Sequence, residues 1–306
     1  AVGKPVKVIW TREDDIEQDL YNPKGRHVFR GGIDKAGKLI AANYLHCSTD
    51  NDFATHAFPA HQVSNYRGEV IDSKVLPSGP WRGPTENVAG YAMQSFVDEM
   101  AHLAGICPLK YRIDMFRETG DTPHPGFSSD VMVADRFINV LTMAAKNAGW
   151  GKELPKGHGM GVASFMTFGG YAASVVEVKV DSDGTLTIIN ACGAADPGIA
   201  INPQGCRAQI ESGTLDGFSA ALGQAVVIEG GRVMNNNFDS YEMARIGASP
   251  HQFTAEVARN TITPKGLGEM SLPPAIPALC NAIYAACGVR IRKLPIADQL
   301  EKAMKS

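Results

Sequence analysis

A single carboxylate, Glu269, stands in a segment rich in glycine and proline, PKGLGEMSLPPAIP (264–277). Gly266 and Gly268 before it permit backbone conformations that other residues avoid, and the prolines after it stiffen the chain. A carboxylate held in a dry, rigid loop takes up protons more readily and becomes a useful general base. The segment also fits a surface loop with a solvated glutamate, and local sequence leaves both interpretations open.

A second glycine- and proline-rich segment, LPSGPWRGPTEN (76–87), contains Arg82 between Trp81 and Gly83. The backbone N–H groups of such a loop, together with a guanidinium, can approach an anionic ligand such as a phosphate. Stacking of Arg82 on Trp81 is the alternative, and the sequence does not choose between them.

A predicted helix in INPQGCRAQIESGTLDGFSAAL (201–222) carries Gly205, Gln209, Gly213 and Gly217 four residues apart, hence on one side. That side would let another backbone or a bulky cofactor approach, with Gln209 offering a donor and an acceptor. Tight packing of the helix against the sheet is the simpler explanation of the glycines.

Other segments exclude classes of site. GHGMG (157–161) resembles a phosphate loop only loosely, and it precedes a strand instead of joining strand to helix, so a dinucleotide site is not predicted. The histidines of HAFPAH (56–61) lack a metal-ligand spacing, and no metal-ligating residue is predicted. Six cysteines without a C-x-x-C pair indicate neither a zinc nor an iron–sulfur site, and we expect buried free thiols.

The elements that must position these residues alternate irregularly, and the strands come in hairpins, which favours an α+β fold with antiparallel sheets. Periodicity and turn signals predict the following segments: strands at 5–11, 26–33 and 39–46 with a turn at 34–38, mostly loop from 47 to 85, helices at 86–104 and 129–148, a loop at 149–161, hairpin strands at 172–180 and 185–192, and helices at 203–224 and 275–287.

The bulk composition is that of a globular protein. The 306 residues suffice for one large or two ordinary domains, with 44% hydrophobic and 20% charged residues. A formal net charge of −3 gives no reason to expect a nucleic-acid or membrane-surface partner, and no apolar run has transmembrane length.

Taken in order, the segments resemble one family, the molybdenum-binding subunits of the xanthine oxidase and aldehyde oxidase family. The nearest branch is the isoquinoline 1-oxidoreductase β-subunit type, which includes bacterial aldehyde dehydrogenases. The resemblance is carried by these blocks: WTREDD (10–15), GRHVF (25–29), GPWRGP (79–84), QSFVDEMA (94–101), INPQG with AQIESG (201–213) and GLGEMSLPPAIPALCNAI (266–283).

The resemblance implies a role for each matching residue. Glu269 matches the glutamate of the family's G-x-G-E motif, the base that takes a proton while water-derived oxygen is transferred to an electron-poor carbon. Gly268 belongs to that motif and is expected to contact the cofactor. Arg82 matches the arginine of the loop beside the molybdenum, and the neighbouring Trp81 and Gly83 are expected to contact the cofactor with it. Gln209 matches the glutamine that hydrogen-bonds the pterin.

The implied cofactor is molybdopterin with its molybdenum, with or without an added cytosine nucleotide, and electrons leave through 2Fe–2S clusters on a partner subunit. The family's G-G-x-F-G block is absent, and the chain starts with AVGKPVKVIWTRED and no Met. We therefore expect the first half of the molybdenum subunit on a separate chain or a cleaved fragment. Pro84 stands where purine-oxidising members carry a stacking aromatic, so an aldehyde or another N-heteroaromatic is the expected substrate.

The implied fold is α+β, with molybdopterin-binding domains of this family built from mixed and antiparallel sheets with packed helices. Residues 1–108 would complete the first domain and residues 109–306 would form the second, with the cofactor between them. The expected partners are the chain with the first half, the 2Fe–2S subunit, a cytochrome c or flavin subunit and a small-molecule substrate. The expected location is the periplasm in preference to the cytoplasm. The alternative is a non-catalytic scaffold or cofactor-delivery subunit, against which the intact GLGE and GPWRG segments count.

Overall fold

The computed structural model describes residues 2–49, 59–73, 75–123 and 131–305. Within these ranges the helices are α1 (Arg12–Gln18), α2 (Glu86–Ala104), α3 (Pro108–Thr119), α4 (Ala134–Ala148), α5 (Pro203–Leu222), α6 (Leu272–Cys287) and α7 (Gln299–Lys305), with short 3-10 turns at Ala60–Gln62 and Ile246–Ala248. The strands are β1 (Gly25–Ile33), β2 (Leu39–Ser48), β3 (Asn65–Asp72), β4 (Thr122–Pro123), β5 (Val131–Met132), β6 (His158–Thr167), β7 (Gly170–Val180), β8 (Leu186–Asp196), β9 (Ile228–Glu229), β10 (Arg232–Val233) and β11 (Gln252–Val257).

The larger sheet has the strand order β11-β8-β7-β6. Strands β6, β7 and β8 form an antiparallel meander, while β11 lies parallel to β8 at the edge. The predicted hairpin of β7 and β8 is confirmed, and its turn ends at Gly184 with φ +90°, a conformation that favours glycine. The α+β class is therefore confirmed, with mixed as well as antiparallel sheets.

Helices cover both faces of this sheet. On one face α4 packs Phe137 and Leu141 into a cluster with Val175 of β7. On the other face α6 packs Leu279 and Ile283 against a further set of buried strand residues. Each large apolar side chain buried in this way contributes about 1.5–3 kcal/mol, so the sheet fixes the position of α6 and of the loop that leads into it.

Two glycines explain how closely α6 lies on β6. A Cβ added at Gly161 would be 2.2 Å from the carbonyl oxygen of Ala278 and 2.2 Å from the nitrogen of Ala282, and Gly159 has an equally close approach to the backbone of α6. The prediction of a loop through 149–161 is wrong at its end, because β6 begins at His158. The glycines of that motif serve helix-on-strand packing.

The smaller sheet, ordered β1-β2-β3, pairs β1 with β2 antiparallel and β2 with β3 parallel. Helix α2 packs on it closely enough that a Cβ at Gly31 would be 2.6 Å from the sulfur of Met100. The opposite side of α2 contacts α6, since a Cβ at Gly90 would be 2.6 Å from the carbonyl oxygen of Pro273. Helix α2 thus connects the small sheet to the start of α6.

Several local predictions are corrected. Residues 5–11 are not a strand: the backbone is irregular and the side chains are exposed, Val8 by 76% and Trp10 by 59%. An isolated strand leaves its backbone groups unpaired, and no strand of the described ranges pairs with this segment. Strand β3 lies inside the region predicted as loop, and α3 was not predicted at all.

The main helices of the site follow the predictions closely. The helix predicted at 86–104 has these bounds, with Gly105 as its C-cap, and those predicted at 203–224 and 275–287 appear as α5 (Pro203–Leu222) and α6 (Leu272–Cys287). The helix predicted from 129 begins at Ala134, and residues 129–130 lie outside the described ranges. Among the described helices, none has the length and apolarity to cross a bilayer. The division at residue 108 stays a prediction.

Candidate active site

Arg82 joins three segments that are far apart in the sequence: its own loop before α2, helix α5 and the loop before α6. Its Nε donates to the carbonyl oxygen of Gly268. Its Nη1 donates to Ser212 Oγ at 2.8 Å and to Asp216 Oδ2 at 2.7 Å. Its Nη2 donates to the backbone oxygen of Gln209 at 3.3 Å and to Oε1 of the same residue at 3.0 Å.

A guanidinium has five N–H donors, and in this arrangement five protein acceptors receive them. The Arg82 side chain is 15% exposed, and no cation–π contact joins it to Trp81 among the described residues. Trp81 packs instead against the apolar cluster of α5 and α6. Neither anion binding by the guanidinium nor stacking on Trp81 describes this geometry. Arg82 instead joins its own loop to α5 and to the loop before α6 through these hydrogen bonds, and we call it an internal clamp.

Glu269 receives a hydrogen bond from the loop that the clamp holds. The backbone N–H of Gly83 donates to Glu269 Oε1 at 3.3 Å. Gly83 has φ +67°, and a Cβ there would be 3.3 Å from Pro273 Cγ, so both conformation and space favour glycine. Glu269 is half-buried, and its Oε2 has no hydrogen-bond partner within the described ranges. One oxygen is fixed and the other is available.

The glycines beside Glu269 are not required for their conformational freedom, which corrects the sequence-based argument. Neither Gly266 nor Gly268 has a positive φ. Both are exposed, and a Cβ at either position would meet no described atom within 4 Å. Both positions therefore leave open space along the loop that carries Glu269.

Gln209 lies exposed on α5, and Arg82 holds its side-chain oxygen. The side-chain oxygen of Gln209, predicted to accept from a ligand, thus accepts from Arg82 within the protein. The amide nitrogen has no hydrogen-bond partner among the described residues, so Gln209 presents an oriented pair of N–H donors to the outside.

The glycines of α5 mostly serve tight packing, as the simpler explanation predicted. A Cβ at Gly213 would be 2.2 Å from Ser271 Oγ, and one at Gly217 would be 3.0 Å from Ala275 Cβ. Ser271 in turn donates to the backbone oxygen of Gln209 at 3.3 Å. Close approach of α5 to the start of α6 therefore brings Gln209 and Glu269 to one place.

Ser212 and Asp216, which accept hydrogen bonds from Arg82, were not predicted from the sequence, and neither was Glu86. A signal existed for the first two, since they lie three and seven residues after Gln209 and hence on the same helical face. Glu86 gave no such signal. Burial raises the pKa of Glu86 to about 7; a hydrogen bond from its own backbone N–H lowers the pKa by less, and the negative charge of Glu269 adds a still smaller increase.

The described residues include no group of three or more histidine, cysteine or acidic side chains placed to hold a metal ion. His56 lies outside the described ranges. The six cysteines are free, but only Cys192 and Cys280 are buried, and Cys107 is exposed. The prediction of buried thiols is therefore right for two of them.

Comparison with known proteins found a matching family model and several related sequences. A model described as a molybdopterin cofactor-binding domain matches residues 114–250. The chain is 28% identical over 328 residues to the membrane-bound aldehyde dehydrogenase (pyrroloquinoline-quinone) of Gluconacetobacter polyoxogenes, covering 96% of this chain and 42% of that protein. It is 24% identical over 332 residues to the isoquinoline 1-oxidoreductase subunit beta of Brevundimonas diminuta, covering 100% of this chain and 40% of that protein.

Among solved structures, the aldehyde oxidoreductase of Desulfovibrio gigas superposes with a TM-score of 0.78 at 13% identity, covering 97% of this chain and 51% of that one. This likeness concerns the fold alone. The first relative carries pyrroloquinoline quinone in its name, whereas the matching family model is named for molybdopterin. The chain spans less than half the length of the curated relatives described above.

Proposed function

We propose that this chain, which belongs to the molybdenum-binding subunits of the xanthine oxidase and aldehyde oxidase family, supplies the base and part of the cofactor cradle of a hydroxylating dehydrogenase. The observation that carries the proposal is the meeting of Glu269, Gly268 and Gln209 around Arg82. The substrate class that we propose is an aldehyde or an N-heteroaromatic compound.

The exposed side of the site fits a molybdopterin cofactor. Gln209 presents oriented amide donors, which suit the ring and phosphate acceptors of a pterin. Gly266 and Gly268 leave room for close approach to the backbone, because no described atom lies within 4 Å of a Cβ at either position. When bound, the cofactor supplies a two-electron oxidation in which oxygen from water enters the substrate.

Glu269 is placed for proton transfer. The Gly83 N–H fixes Oε1 at 3.3 Å, so the carboxylate keeps one orientation while Oε2 accepts a proton on the open side. Arg82 does not take part in the chemistry. It holds the carbonyl of Gly268, the residue before the base, and the side chain of Gln209 in one rigid unit. Such fixed geometry is what makes a general base effective.

Substrate and partners follow as further parts of the proposal. Pro84, next to Gly83, supplies no flat ring for stacking, which favours an aldehyde or another N-heteroaromatic over a purine. Electrons would pass to 2Fe–2S clusters of a partner subunit and on to a cytochrome c or flavin subunit. We propose that the complex, including the first half of the molybdenum subunit, works in the periplasm.

The test uses the complex purified from its native host with all co-purifying chains. Glu269→Gln keeps the shape of the side chain but removes the base, so molybdenum should stay bound while turnover of aldehydes or N-heteroaromatics with an artificial acceptor falls about 10²–10⁴-fold. The matched control is Glu153→Gln, an exposed glutamate in the loop before β6, which should leave both quantities unchanged.

Molybdenum is measured by elemental analysis and turnover by reduction of the acceptor. Near-normal turnover in the Glu269→Gln complex would show that Glu269 is not the base. A complete wild-type complex without molybdenum and without activity would support the scaffold or cofactor-delivery alternative instead.

A further inference from the structure

Residues 2–10 form an extended segment whose apolar side chains lie in solvent. The side chains of Val8, Ile9 and Trp10 are 76%, 72% and 59% exposed. Helix α1, which follows the segment, has no buried residue. Monomeric proteins rarely expose so many neighbouring large apolar side chains, and such a surface marks a place where another protein binds. The segment therefore has the composition of an interface.

The backbone of the same segment carries unused hydrogen-bonding groups. Among the described residues, none makes a backbone hydrogen bond with residues 6–10, and no strand pairs with them. Val6, Val8 and Trp10 stand at alternate positions, so a strand here would carry all three on one face. Unpaired N–H and C=O groups along an extended backbone are a template for pairing with another strand. Residues 6–10 are thus built as a strand, and the described part of the chain supplies no sheet for it.

Helix α1 is anchored to the protein by contacts that leave the segment outside. Glu17 Oε1 accepts a hydrogen bond from Asn236 Nδ2 at 2.6 Å. The guanidinium of Arg12 lies over the ring of Phe238, 5.2 Å from its centroid. These contacts fix the point at which the extended segment leaves the molecule. We call the backbone of residues 6–10, with the exposed side chains that it carries, the docking surface.

The residues that follow α1 connect the docking surface to the candidate active site. The backbone oxygen of Tyr21 accepts a hydrogen bond from the N–H of Gly79 at 3.0 Å. Asn22 Oδ1 accepts from Asn87 Nδ2 at 3.3 Å, and the same nitrogen donates to the backbone oxygen of Arg82 at 3.3 Å. A protein bound at the docking surface would therefore hold the stretch of chain that supports the Arg82 loop.

The length of the relatives indicates what occupies this surface. Nearly all of this chain aligns with them, yet it covers only 42% and 40% of the two described above. We infer that residues 6–10 add as a strand to the edge of a sheet in the remaining part of the molybdenum-binding subunit, with Val6, Val8 and Trp10 packed on an apolar face of that part. In such strand addition the main chain supplies affinity and alternate side chains supply specificity. The inference rests on the proposed function, because its occupant belongs to the proposed complex.

The first test is hydrogen–deuterium exchange with mass spectrometry on the assembled complex, purified from its native host. Amides of a paired strand exchange slowly, so residues 6–10 should exchange about 10²-fold or more slower than an unstructured peptide of the same sequence. Chemical crosslinking of the Lys4 and Lys7 amines should join them to the remaining part of the molybdenum-binding subunit. Exchange at the unstructured rate, or crosslinks to a second copy of this chain or to the iron–sulfur subunit instead, would overturn the inference.

The second test compares Val8→Asp with the matched control Leu103→Asp, an equally apolar and 63% exposed position in the last turn of α2. An aspartate packed on an apolar face has no compensating partner, so Val8→Asp should speed exchange at residues 6–10 about tenfold or more. Loss of the assembled complex in Val8→Asp alone would have the same meaning, since Val8 is exposed within this chain. Equal exchange in wild type, Val8→Asp and Leu103→Asp would overturn the inference.

The two proposals fail separately. If Glu269→Gln kept its turnover while residues 6–10 exchanged slowly in the complex, Glu269 would not be the base but the docking surface would stand. If Glu269→Gln lost its turnover while residues 6–10 exchanged at the unstructured rate, Glu269 would stand as the base and the docking surface would be refuted.

Discussion

The substitution Arg82→Lys distinguishes two roles for Arg82: a clamp that holds three segments of the protein together, and a cation that binds an anionic ligand. A lysine keeps the positive charge but offers three N–H donors from one atom, where the guanidinium offers five in a planar fork. At least two of the five acceptors around Arg82 must then lose their partner. Two of these acceptors, the carbonyl oxygens of Gly268 and Gln209, belong to the segments that carry the site.

The expected decrease in the free energy of unfolding can be worked out from these contacts. A hydrogen bond to a neutral acceptor contributes about 1 kcal/mol net. The ion pair with Asp216 adds little, because the Asp216 side chain is 48% exposed and an exposed pair contributes about 0–1 kcal/mol. With two or three bonds lost, the free energy of unfolding of the Arg82→Lys chain should fall by about 2–3 kcal/mol.

The assay is urea unfolding of the full chain without added ligand, followed by circular dichroism and by tryptophan fluorescence. The control is Arg207→Lys, an exposed arginine on α5 for which the described residues provide no hydrogen-bond partner, and it should change stability by less than about 0.5 kcal/mol. Equal unfolding midpoints for the two variants would refute the clamp. Arg82 would then be better explained as a charge held for an anionic ligand.

Two further predictions concern packing and pH. Gly161→Ala should lower the free energy of unfolding by about 3 kcal/mol or more in a thermal unfolding experiment, since its Cβ would lie 2.2 Å from backbone atoms of Ala278 and Ala282. The control is Gly32→Ala in strand β1, where a Cβ has space, and its free energy of unfolding should stay within about 1 kcal/mol of wild type. Equal melting temperatures for the two variants would contradict the packing argument. The pKa of Glu86 rises from 4.5 to about 7 on folding, so the folded chain binds more protons in between, and wild-type stability should fall by about 2–3 kcal/mol as pH rises through this window. Urea unfolding at several pH values should show that Glu86→Gln removes this fall, and parallel curves for both chains would show that Glu86 is not the group responsible.

The local elements of the site could be predicted from the sequence because their signals are local. The apolar spacing and glycine stop of α2, the proline start of α5 and the turn between β7 and β8 depend on neighbours within a few residues. The strand predicted at 5–11 shows the limit of this reasoning. Alternation shows that a segment can form a strand, but only a neighbouring strand supplies its hydrogen bonds.

The candidate residues were likewise named from sequence, but their roles were not fixed there. Glu269, Arg82 and Gln209 could each be singled out by type and context. Whether Arg82 binds a ligand or the protein depends on acceptors 127 to 186 residues away in the chain. The proximity of such acceptors is a property of packing, which local sequence does not contain.

The sequence by itself determined the family resemblance, the α+β class and the residues around which a base and a cofactor cradle could be built. The tertiary structure decided that all five N–H groups of Arg82 are bound by the protein itself, that Gly161 serves the contact of α6 with β6, and that the carboxyl group of Glu86 is partly buried. The physical reason is the same in each case. Hydrogen-bond partners, close approach and desolvation arise between segments distant in the chain, and they exist only once the helices and sheets have packed.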